Sequence, residues 1–109
     1  MLELWQTEWC PASHRIRARL TELGLDYVTR QVPVDKGERT ALRQATGLDT
    51  IPALVIEDGT VAVGEEAIRR HLDEQVVEPP EAEAHRLKAA KARRRYLKEE
   101  CECLQPATR

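Results

Sequence analysis

Trp9-Cys10-Pro11-Ala12-Ser13 marks the junction of a strand and a helix. Before it, Leu2-Glu3-Leu4-Trp5 is a short apolar run with strand character. After it, Ile16, Leu20 and Leu23, with Ala12 one turn earlier, recur at the spacing of one buried helix face. Pro11 suits the first helical position, where a missing N–H costs nothing and the fixed φ matches the helix. Cys10 is thereby placed at a helix N-terminus, facing unpaired backbone N–H groups and the positive end of the dipole. Those surroundings favour thiolate over thiol and lower a cysteine pKa from its free value of about 8.5. A thiolate presented this way is a nucleophile.

Downstream, Gly24 is a helix C-cap, and Tyr27–Val32 reads as a second strand rich in β-branched and aromatic residues. A strand, a helix and a strand with short connections form a βαβ unit, so the first two strands are expected to be parallel. Residues 35–38 form a polar loop, and Ala41, Leu42, Ala45 and Thr46 mark the inner face of a second helix closed by Gly47. Ile51-Pro52 leads into a strand over Ala53–Ile56. Asp58-Gly59 signals a hairpin and Thr60–Val63 is the returning strand, broken by Gly64. Ala67, Ile68 and Leu72 give a third amphipathic helix. The order is β-α-β-α-β-β-α, an α/β domain over residues 1–75. Residues 76–109 add a linker at Pro79-Pro80 and a charged helix from Glu81 to Cys103, with Leu87, Ala90, Leu97, Cys101 and Leu104 near one face.

Size and charge narrow the function. A chain of 109 residues with 41% hydrophobic content, two Trp and no Phe supports one modest core. The net charge of −2 gives no global pull toward nucleic acid or an anionic membrane. Five Lys/Arg between Lys91 and Lys98 read mainly as a solvated helix face. No apolar stretch approaches the roughly 20 residues of a membrane span, and no basic-then-apolar leader precedes the Leu2 strand. Three cysteines do not make a disulfide framework, which points to a reducing cytoplasm. No metal site is expected: Cys101 and Cys103 point to different helix faces and His85 lies four turns earlier.

Three separated motifs together resemble the glutaredoxin and glutathione S-transferase N-terminal branch of the thioredoxin-like fold. Cys10-Pro11-Ala12-Ser13 is similar to the family's C-P-x-C or C-P-x-S site. Thr46-Gly47-Leu48-Asp49-Thr50-Ile51-Pro52 is similar to its T-G-x-x-T-V-P loop. Val63-Gly64-Glu65-Glu66 stands where those proteins carry a Gly-x-Asp-Asp or Glu-Ser turn. The resemblance implies a mixed four-stranded sheet, a cis Pro52, and Ile51 backbone groups that pair with a bound thiol tripeptide as an added strand. It implies that Gly64, Glu65 and Glu66 receive the γ-glutamyl end of that ligand, although both glutamates are also ordinary first-turn residues. Arg39, with Arg43 one turn on, stands where a basic or amide group could hold a far carboxylate; solvated surface charge is the other reading. Trp9 and Pro11 would supply apolar wall.

The departures are informative. Serine at position 13 cannot close a disulfide with Cys10, though it can hydrogen-bond the thiolate. Thr7 stands where glutaredoxins usually have lysine, and Ala12 replaces a common aromatic. Cys10 and Ser13 are thus the expected catalytic pair of a monothiol thiol–disulfide oxidoreductase. It would act on mixed disulfides of oxidised proteins with glutathione or a similar small thiol as co-substrate, and hold no tight cofactor. The alternatives are a non-catalytic binding module for a thiol compound or protein, and a truncated glutathione-transferase-like protein. His14 is near enough in sequence to tune Cys10. The C-terminal helix could pair two copies, and either tail cysteine could resolve a Cys10 mixed disulfide or stay buried.

Overall fold

β1 (Leu2–Gln6) and β2 (Tyr27–Gln31) pair in parallel, Leu2 beside Tyr27 through Gln6 beside Gln31, and α1 (Pro11–Glu22) makes the crossover. β3 (Ala53–Val55) runs antiparallel to β1 and is followed across the Asp58-Gly59 hairpin by β4 (Val61–Val63). The sheet order is β2-β1-β3-β4. α2 (Thr40–Thr46) lies between β2 and β3, after a single 3-10 turn over Lys36–Glu38. α3 (Glu65–Gln75) follows β4, and α4 (Ala82–Cys103) completes the chain described by this computed structural model, which covers residues 1–103. Of the stripe expected along α4, Leu104 and the side chains of Leu97 and Cys101 lie outside the described residues.

Register explains the two cores. Leu4, Leu54 and Ala62 form one rung across β1, β3 and β4, while Trp5, Ala53 and Val63 form the next. Successive strand residues point to opposite faces. The first rung packs with Ile16 and Leu20 of α1 and Ile68 and Leu72 of α3 in the main core. The second rung joins Val32, Leu42 and Ile51 in a smaller cluster under α2. Helices therefore cover both faces, two on one side and a short one on the other.

The end of α1 is a Schellman turn: the Leu25 N–H donates to Leu20 O and the Gly24 N–H to Thr21 O. Leu23 is the C-cap and Gly24 the next residue, with φ +68°, a conformation that suits glycine. Two expectations about helix faces are corrected. Ala41 and Ala45 are exposed, and α2 buries only Leu42, because seven residues touch the sheet along a single turn. In α4, Leu87 is 66% exposed and Ala90 is exposed; the buried contact is Ala82, at the first turn. Leu87 and Ala90 are therefore not buried against the core; α4 approaches α1 through the longer side chains of Arg86 and Arg93, which leave a groove between the helices.

Candidate active site

Cys10 is the N-cap residue of α1, with extended backbone angles (φ −81°, ψ 119°) and Pro11 opening the helix. Its sulfur accepts the backbone N–H of Ser13 at 3.4 Å, and the side chain is half-buried. Burial pushes the thiol pKa up. The Ser13 hydroxyl, the N–H groups of Ser13 and Ala12 and the Arg15 charge act against it, and the net result is a pKa below the ordinary thiol value. This is the N-cap geometry with sulfur in place of the usual oxygen acceptor.

Ser13 is fully buried, and its hydroxyl oxygen accepts a long bond from the Thr7 N–H at 3.4 Å. That contact fastens the helix to the end of β1 and orients the hydroxyl beside the sulfur. Thr7 is itself buried, with its hydroxyl unpaired among the described residues. Thr7 O is also held by Arg17, which donates to Gln6 Oε1 as well. Trp9, in the turn before Cys10, is 60% exposed and offers its ring to solvent next to the thiol.

In the loop before β3, the Ile51–Pro52 peptide bond is cis and Pro52 is buried. Pro52 O accepts the Gly64 N–H at 2.8 Å, which ties this loop to the start of α3. Gly64 has φ +90° and ψ 156°, a backbone conformation in which an L side chain is strained. Val63, Gly64, Glu65, Glu66, Ala67 and Arg70 line a cavity of about 500 Å³ there.

Arg15, one turn into α1, donates to both oxygens of Glu65, from Nε at 2.7 Å and Nη2 at 2.8 Å. Arg69, one turn into α3, approaches the same carboxylate at 3.4 Å. The Arg15 hydrogen bond, with Arg69 helping, holds the Glu65 carboxyl below the usual carboxylate range. Glu65 is therefore occupied by two cations of its own chain, whereas Glu66 beside it is exposed. Any ligand contact at Glu65 would have to share its carboxylate with these two arginines.

Arg39 also differs from its expected place. It is 4% exposed and donates to Pro33 O at 2.8 Å, Asp49 O at 2.9 Å and Val34 O at 3.2 Å. It staples the β2–α2 loop to the loop before Ile51 and presents no free face to a ligand. Arg43 is likewise held by Lys36 O and Gly37 O. His14 is exposed on α1, and the cation that acts on Cys10 is Arg15. The sequence carries one sign of Arg15, its place one turn beyond an N-cap cysteine. Its partner Glu65 is 50 residues away, so the pair is visible only once α1 and α3 are packed.

Among the described residues no group of three or more His, Cys, Asp or Glu could hold a metal ion. The side chains of Cys101 and Cys103 lie outside the described residues. No described helix is long and apolar enough to cross a membrane.

Known proteins give the same picture. Residues 9–75 match the model of the glutathione S-transferase N-terminal domain. Glutathione S-transferase Z2 of Arabidopsis thaliana is 35% identical over 82 residues, 72% of this chain but only 36% of that protein. A glutathione S-transferase from Rhodospirillum rubrum F11 superposes with a TM-score of 0.63 at 28% identity, covering 72% of this chain and 35% of that one. The fold also matches a buckwheat glutaredoxin–glutathione complex, with a TM-score of 0.51 at 23% identity over 68% of this chain and 70% of the glutaredoxin. The present chain thus spans about a third of the transferases it resembles. With its thioredoxin-like four-stranded sheet and a family match over residues 9–75, the chain belongs to the glutathione S-transferase N-terminal domain family.

Proposed function

We propose that Cys10 carries out monothiol thiol–disulfide exchange on mixed disulfides of glutathione or a similar small thiol. The observation that supports this is the half-buried Cys10 sulfur on the N-cap of α1, 3.4 Å from the Ser13 N–H and with a depressed pKa. The Cys10 thiolate attacks the small-thiol sulfur of a mixed disulfide. A new Cys10 disulfide forms, the original S–S bond breaks, and the substrate cysteine leaves as thiolate. The thiolate of a second small thiol then attacks the bound one, which forms the small-thiol disulfide and frees Cys10. Ser13 cannot act as a resolving thiol, so the second thiol must come from outside this motif. In this reading the Ile51 backbone and Pro52 hold the cysteinyl part, Gly64 and Glu66 the γ-glutamyl end, and Trp9 and Pro11 supply apolar wall.

Intact mass after brief exposure to oxidised glutathione at neutral pH tests it. One glutathionyl unit is expected on the wild type, none on Cys10→Ser, with reversal by reduced glutathione. A Cys10 that stays unmodified, or reacts no faster than Cys101 and Cys103, sinks the assignment. The second reading, a truncated transferase-like or purely binding protein, is favoured by the Arg15–Glu65 pair, which fills a place expected for the ligand. It predicts glutathione binding by calorimetry without disulfide turnover.

A further inference from the structure

α1 and α3 both start at the thiol end, where Arg15 meets Glu65, and both run away from it, Arg19 reaching Asp73 at 3.6 Å. α4 returns in the opposite direction. Arg86 pairs with Glu22 at the last turn of α1, and Arg93, seven residues later, lines the same groove as His14 and Arg15. Seven helical residues climb about 10 Å, the same rise that separates Glu22 from Arg15. The three helices thus enclose a groove of about 590 Å³ whose upper end is lined by His14 and Arg15, one turn of α1 from Cys10.

Charge is not spread evenly along it. At the far end Arg19 and Arg86 are neutralised by Glu22 and Glu78, in contacts of 2.5 to 3.1 Å, with Asp73 close by. Toward the thiol end Arg15 and Arg69 share the single carboxylate of Glu65, and Arg93 lines the same groove; among the described residues no carboxylate pairs with Arg93. Among the described residues lining the groove, this end therefore carries a surplus of two positive charges, one turn of α1 from the Cys10 sulfur.

We infer that this groove selects anionic co-substrates, namely disulfides whose departing half carries a carboxylate. The inference rests on Cys10 as the attacking sulfur and names the substrate class for that reaction. The surplus cations draw the acid in and remain beside the second negative charge that appears when its sulfur leaves as thiolate. A cleft lined by one sign of charge raises local substrate concentration and on-rate.

Two disulfide probes test this on the full chain with Cys101 and Cys103 replaced by serine. 5,5′-Dithiobis(2-nitrobenzoate) carries two carboxylates, and 2,2′-dithiodipyridine carries none. In each, the Cys10 thiolate displaces one aromatic thiolate, which is read by absorbance. Arg93→Gln, an exposed helix position, should slow the dicarboxylate reagent about fivefold at low salt and leave the neutral one within about twofold. Lys88→Gln, outside the groove on the same helix, should change neither. The wild-type preference should shrink in 0.5 M salt, on the scale of a Debye length of a few ångström. Equal slowing of both reagents by Arg93→Gln, or the same loss from Lys88→Gln, overturns the proposal. A charge preference without glutathione turnover would leave the groove standing and sink the exchange cycle; turnover without the preference would do the reverse.

Discussion

Ser13 and Arg39 show how differently two buried polar residues can serve one site. Ser13 acts on the sulfur through its N–H and its hydroxyl. Ser13→Ala removes the hydroxyl and keeps the N–H, so the Cys10 pKa should rise toward the ordinary thiol value. The rate of alkylation by iodoacetamide against pH would then show its midpoint at higher pH than in the wild type; an unmoved midpoint contradicts the assignment. Arg39 is instead a bracket among three carbonyls. Arg39→Ala should lower stability by about 2–3 kcal/mol, measured by urea unfolding, since buried acceptors lose charged donors. Arg39→Lys should recover little, because an ammonium cannot span that fork. Cys10 was legible in the sequence because everything that defines an N-cap is local. Arg39 was not, since Pro33 and Asp49 meet only when two loops fold together, and a surface arginine has the same spelling.

At the scale of elements, α1 and α3 are joined at their N-terminal ends by Glu65. Its folded-state pKa is depressed, so its contribution is full above the ordinary glutamate value of about 4.3 and is lost as pH falls through the lower folded value. Wild-type stability should therefore decline as pH falls below the ordinary glutamate value of about 4.3, and Glu65→Gln should show a shallower decline while being less stable at pH 7. Equal slopes in denaturant titrations at several pH values would contradict this. α4 is held by Ala82 and by the Arg19–Glu22–Arg86–Glu78 ring of contacts. Exposed pairs are worth about 0–1 kcal/mol each. Arg86→Gln should accordingly leave global stability within about 1 kcal/mol yet speed amide hydrogen exchange in α4. Element order was readable from periodicity, turn residues and glycines. The buried faces of α2 and α4 were not, because apolar spacing says which residues could be buried and not which side meets a neighbour.

The molecule as a whole is lopsided about its sheet. Leu4, Leu54 and Ala62 are sealed by two long helices, whereas Trp5, Ala53 and Val63 rely on Leu42, Val32 and Ile51 under a helix of seven residues. Ala82 is the one residue beyond 75 in the buried apolar set of the described residues. A chain ending after Glu78 should therefore still unfold cooperatively in urea, at a cost of about 1–2 kcal/mol for the exposed contact surface; a non-cooperative transition would show that α4 is integral to the core. The imbalance also sets an order of opening. Local unfolding starts where few apolar contacts are buried, which within residues 1–75 means α2 and the loops around it. Within that range a protease acting on the native protein should thus cut first between residues 33 and 50, while the Cys10 helix stays intact. The thiol is mounted on the helix that seals the larger core, and Ile51 packs in the smaller one, so the first opening should loosen the Ile51–Pro52 loop before it reaches Cys10.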